Sequence, residues 1–132
     1  MKESRFKFEN LHIWSKAMDL GEDVNALIDN FPKKENYNLS SQMLRAVDSI
    51  ALNISEGSIG QSISEFNKFI GYAIRSLAEV VTCLHKAIRR KYITQQDFKV
   101  FYDESFHLMN MMIAFRNKIN QSSDIKHQAS NN

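Results

Sequence analysis

The chain has 132 residues, 43% of them hydrophobic, which suits a single domain closed around one core. Four Gly and one Pro are too few turn-formers for a strand-rich protein, so the composition predicts an all-α fold of long helices. Seventeen Lys and Arg against fifteen Asp and Glu leave a formal net charge of +2, too small to require a nucleic-acid partner, and the lone Cys83 excludes an internal disulfide.

Residues 1–10 alternate charge with Phe6 and Phe8 and lack the apolar stretch of a secretory signal, so an N-terminal arm is expected there. No run approaches the roughly 18 apolar residues of a membrane span. The expected setting is a reducing cytoplasm, with no membrane partner and Cys83 as a buried free thiol.

The bundle is expected over residues 11–121. A first helix from Leu11 to Asn30 follows from the recurrence of Leu11, Trp14, Met18, Gly21, Val24 and Ile28, and Pro32 ends it. Asn38 is the expected N-cap of a second helix whose seam runs through Leu39, Met43, Ala46, Ile50 and Ile54 to Gly57, read as a left-handed C-terminal residue. Ser62-Ile63-Ser64-Glu65 has the form of a capping box opening a third helix. Its residues Phe66, Ile70, Ala73, Leu77, Val80, Leu84 and Ala87 step as a heptad, and Arg89, Arg90 and Lys91 suit the negative end of its dipole. Thr94 should cap a fourth helix with the seam Phe98, Phe101, Ser105, Leu108, Met112, Phe115 and Ile119. Residues 122–132 are polar and should form a frayed tail. Four such helices with short links pack most simply as an antiparallel up-down-up-down four-helix bundle.

The third and fourth helices carry more apolar surface than their seams need. Tyr102, Phe106, Met109 and Ile113 form a second stripe about 100° round from the seam of the fourth helix, and Phe69, Ile74, Val81 and Ile88 flank that of the third. These residues either complete a broad bundle core or form an interface between subunits.

Glu9-x-x-His12 and Glu104-x-x-His107 have the spacing of di-iron ligands in ferritin-like bundles, which would make the chain a di-metal or small-molecule enzyme. Helical projection turns both histidines away from the apolar faces, so no metal, cofactor or catalytic group is expected. No Gly-rich phosphate loop is present, and no Ser, His and acid share a predicted face. On the second helix Gln42, Arg45, Ser49, Asn53 and Glu56 form a polar line, either hydrogen-bonding between helices or meeting a partner. Lys68, Arg75, Lys86 and Arg90 mark the outer face of the third helix, open to intrahelical pairing such as Arg75 with Glu79 or to phosphate contact together with Arg89 and Lys91.

The run Leu39-Ser40-Ser41-Gln42-Met43-Leu44-Arg45-Ala46, with Asp48-Ser49-Ile50 and Asn53-Ile54-Ser55-Glu56-Gly57, resembles the signature of the four-helix-bundle proteins encoded in intervening sequences of bacterial 23S rRNA genes. Trp14, Phe31, Pro32, Glu35 and Tyr37 upstream, and Ser62, Glu65, Phe66, Phe69 and Glu79 downstream, extend the likeness. The resemblance implies a non-enzymatic homo-oligomer, a ring-like homopentamer, acting as a binding or scaffolding protein. It also implies kinship with the accessory variability determinant of diversity-generating retroelements, so the expected partners are a second copy of the chain and structured RNA or a nucleic-acid-binding protein. Ile59-Gly60-Gln61 stands where many relatives carry an Arg, and Arg75 stands at a common Gly.

Overall fold

A computed structural model describes the backbone of residues 3–130 and the side chains of residues 3–122. Four helices follow in order: α1 His12–Leu27, α2 Leu39–Ile59, α3 Ile63–Arg89 and α4 Gln95–Ser130. Each packs on its neighbours in cyclic order, α1 on α2, α2 on α3, α3 on α4 and α4 back on α1, giving the antiparallel up-down-up-down bundle. The α2–α3 pairing is the most extensive and the α1–α4 pairing the least. The expected frayed tail falls almost wholly outside the residues whose side chains are described.

The middles of the α3 and α4 heptad seams are buried, with Ile70, Ala73, Leu77, Val80, Leu84 and Ala87 beside Ser105, Leu108 and Met112 in the core, whereas Phe66, Phe98, Phe101 and Phe115 are half-buried against it and Ile119 is half-buried. The helix starts follow from local chemistry. Ser62 Oγ accepts from the Glu65 amide at 3.0 Å, the Ser half of the expected capping box, and Thr94 Oγ1 accepts from the Asp97 amide at 3.0 Å.

Helix α1 departs from its expected phase. Its buried stripe is Ile13, Ala17, Leu20, Val24 and Leu27, whereas Trp14 and Gly21 are half-buried and Met18 is 42% exposed. Two overlapping apolar stripes share this helix, and packing between α2 and α4 selects the one that faces both.

The second correction is Gly57, which lies inside α2 with a helical backbone; no glycine has a positive φ among the described residues. A Cβ there would stand 2.8 Å from Phe69 Cβ and 2.9 Å from Phe66 Cδ1, so the missing side chain lets α3 approach α2 closely. The helix ends two residues later, at Ile59.

At the start of α2, the Asn38 side chain makes no cap bond to the helix. The Glu35 carboxylate does so instead, accepting from the Leu39 amide at 3.4 Å. The left-handed position belongs to Lys91, with φ 64, just past α3. Lys91 and Tyr92 donate their amides to the carbonyls of Ile88 and Ala87, closing a Schellman motif around a lysine where glycine is usual.

Candidate functional site

Two residues of the polar line on α2, Gln42 and Ser49, bond across to α3. Ser76 Oγ donates to Ser49 Oγ at 3.0 Å, Asn53 Nδ2 donates to the Ser49 hydroxyl at 2.9 Å, and Gln42 Nε2 donates to Glu79 at 3.4 Å. The Ser76–Ser49 and Gln42–Glu79 bonds tie α2 to α3 and fix their register, while the Asn53 bond lies within α2 and holds the Ser49 hydroxyl. Arg45 and Glu56 of the same line are exposed. Glu79 thus faces Gln42, and no Arg75–Glu79 ion pair forms among the described residues.

Three of the four residues in the second stripe of α4 stay outside the core, and Met109 packs against it. Tyr102 is 42% exposed, Phe106 53% and Ile113 37%, with Met109 half-buried beside them. This stripe borders α3, since His85 packs edge-on against Phe98 and Tyr102 at centroid separations of 5.0 and 6.2 Å. Arg116 lies at the same boundary, its guanidinium beside Gly71.

A complementary feature occupies the opposite flank. Trp14, Ala17, Met18 and Gly21 of α1 and Ala51 and Leu52 of α2 line a groove of about 420 Å³, with Glu22 and Asp48 on its rim. Phe8 of the N-terminal arm enters it and packs on Trp14 at 5.3 Å. The phase error in α1 hid this groove, because Trp14, Met18 and Gly21 look like core residues when α1 is read alone.

One end of the bundle is held by a buried carboxylate. Glu35 is 4% exposed and accepts from the Tyr92 hydroxyl at 2.6 Å, Arg90 Nη1 at 2.9 Å and Asn38 Nδ2 at 3.0 Å. The Tyr92 hydroxyl above all, then the Leu39 amide, Asn38 and Arg90, outweigh burial and keep the Glu35 carboxyl below its ordinary value. Tyr92 is pushed up by the same bond. The Phe31 ring packs at a tilt against Tyr92, centroids 5.4 Å apart, so the α1–α2 loop is fastened to the α3–α4 turn. This brings Lys33 and Lys34 to the end that carries Arg89, Arg90 and Lys91. Lys68 lies at the other end of α3, about 30 Å from Arg89 along the axis, over the Phe69 ring at 5.2 Å. Arg75 and Lys86 are exposed between them. The missed signal was the charge run Lys33-Lys34-Glu35 in the first connection, whose acid pairs with the cationic end of α3.

Between α1 and α4, burial, then Asp23 and Asp19, push the Glu104 carboxyl up to about 7, with Lys16 opposing. His12 and His107 are exposed, and no group of three or more His, Cys, Asp or Glu is placed to hold a metal among the described residues. Cys83 is buried, and burial followed by Glu79 raises its thiol, which leaves little reactive thiolate. No helix among the described residues is long and apolar enough to cross a membrane.

A family model described as 23S rRNA-intervening sequence protein matches residues 9–114. No curated protein matches the chain. A crystal structure from Bacteroides thetaiotaomicron, described as a protein with unknown function from the S23 ribosomal protein family, is 23% identical with a TM-score of 0.73, over 80% of this chain and 95% of that one. At that identity the likeness concerns the fold.

Proposed function

From the premise that the chain belongs to the 23S rRNA-intervening sequence protein family, we propose that it is a non-enzymatic helical bundle that works by self-association. The observation that carries this reading is the α4 stripe, Tyr102, Phe106 and Ile113, exposed beside a core that is already closed. Leaving such side chains in water forgoes about 1.5 to 3 kcal/mol each, an upper bound since the unfolded chain also hides some surface. The α1–α2 groove on the opposite flank is a fitting acceptor. It is concave where the stripe is convex, and its acidic rim, Glu22 and Asp48, suits Arg116 at the edge of the stripe. A stripe of one copy seated in the groove of the next is a heterologous contact, which closes into rings such as a homopentamer when the rotation permits. The ring would act as a scaffold presenting repeated faces to a macromolecular partner.

Light scattering with circular dichroism tests this. Phe106→Glu with Met109→Glu should give smaller, fully helical particles, because Leu108 and Met112 keep the core intact. Met18→Glu with Leu52→Glu should disperse the assembly equally, and mixing the two double variants should restore one contact and yield heterodimers. A wild-type monomer at micromolar concentration overturns the reading, as does stoichiometric iron, manganese or zinc in the purified protein.

A further inference from the structure

Lys33-Lys34-Glu35 lies in the α1–α2 connection and Arg89-Arg90-Lys91 at the C-terminal end of α3, yet Glu35 joins them through its bond to Arg90, 55 residues away. Five of these six positions are cationic and the sixth is a carboxylate. That carboxylate is consumed inside the protein: Oε2 accepts from Arg90 and Tyr92, and Oε1 from Asn38 and Leu39. Lys33, Lys34, Arg89 and Lys91 remain exposed, and Arg90 keeps 39% of its side chain in solvent. Two independent observations point outward from this cluster. Tyr37, in the same loop as Lys33 and Lys34, is 98% exposed and supports nothing in the core. Lys91 holds a left-handed conformation that glycine adopts without the clash a Cβ brings, so a cation stands where helix termination alone favours glycine.

We propose that this end of the bundle is a binding site for single-stranded nucleic acid, with Lys33, Lys34, Arg89 and Lys91 along the phosphates and Tyr37 stacking on a base. Cations spread over a loop and the end of a helix follow an extended backbone rather than one small anion. An exposed aromatic ring among them is what a strand with unpaired bases can use, since every base offers a π-face. The site holds nothing arranged to read base edges, so recognition is sequence-tolerant. It is complete on one chain and stands apart from the stripe and groove, so it goes beyond the self-association reading and does not require it.

The test is fluorescence anisotropy of the full chain with a short labelled oligo-uridine strand at increasing salt. Affinity should fall with salt, and Lys33→Glu with Lys34→Glu should lower the log–log slope by about 1.4, two phosphate contacts at about 0.7 each. Tyr37→Ala should weaken binding about tenfold with little change of slope. Lys91→Gly should raise the melting temperature while weakening binding, a combination that misfolding cannot produce. Phe106→Glu with Met109→Glu should still bind the short strand, which separates failure of assembly from failure of this site. The proposal is overturned if no strand is retained at low salt, or if the lysine reversals leave binding unchanged. Equal competition by inorganic polyphosphate together with a silent Tyr37→Ala also overturns it, reducing the cluster to a general anion patch.

Discussion

The centre of the bundle and its two flanks treat the same residue type in opposite ways. Gly57, at the α2–α3 contact, has Phe69 Cβ and Phe66 Cδ1 within 2.9 Å of where its Cβ would be. Gly21 in the α1–α2 groove and Gly71 at the α3–α4 boundary have nothing nearer than 3.8 and 3.9 Å, in each case a flexible side-chain end. The contrast extends to everything around them. The centre has a glycine notch and neutral hydrogen bonds through Ser49, Asn53 and Ser76, whereas the flanks carry the groove and the exposed stripe. A finished contact leaves no room, and the roomy surfaces are those still available to a partner.

The largest expected effect tests the centre. Gly57→Ala should destabilise the chain by about 2 kcal/mol in chemical denaturation, because overpacking against Phe69 exceeds the gain in helix propensity. A neutral or stabilising result would mean that α3 can withdraw from α2 without loss, and the contrast would collapse.

Next comes the α1–α4 side, where carboxyls meet. Glu104 titrates at about 7 when folded against an ordinary 4.5, so its contribution is fully present below about 4.5 and is lost as pH rises through 7. Glu104→Gln should flatten that part of the stability profile and add about 1 kcal/mol at pH 8, well under the full shift because the group keeps solvent contact. Glu35 has the opposite sign. Its lowered value stabilises above the usual carboxylate range and is lost as pH falls through the folded value, so Glu35→Gln should remove part of the acid limb instead.

The smallest effect sharpens the comparison at a flank. Gly21→Ala should stabilise by about 0.5 to 1 kcal/mol, since a methyl fits and α-helix formation gains. Thermal unfolding of the two glycine variants side by side should therefore show opposite signs. Equal signs would remove the distinction between a closed centre and open flanks.

The sequence by itself determined the helices, the seams of α2, α3 and α4, and two of the caps, because periodicity and capping are properties of a few neighbouring residues. Ile70, Leu77, Leu84, Leu108 and Met112 are buried where their spacing put them. Tertiary structure alone decided three things. It chose between the two stripes of α1, since either satisfies helical spacing and only the positions of α2 and α4 distinguish them. It made Gly57 a notch rather than a helix end, because that depends on Phe66 and Phe69 of the facing helix. It also joined Glu35 to Arg90 and Tyr92, which lie 55 and 57 residues away. A single carboxylate beside lysines carries no local sign of its partner; it finds one only when two connections are folded to the same end of the bundle.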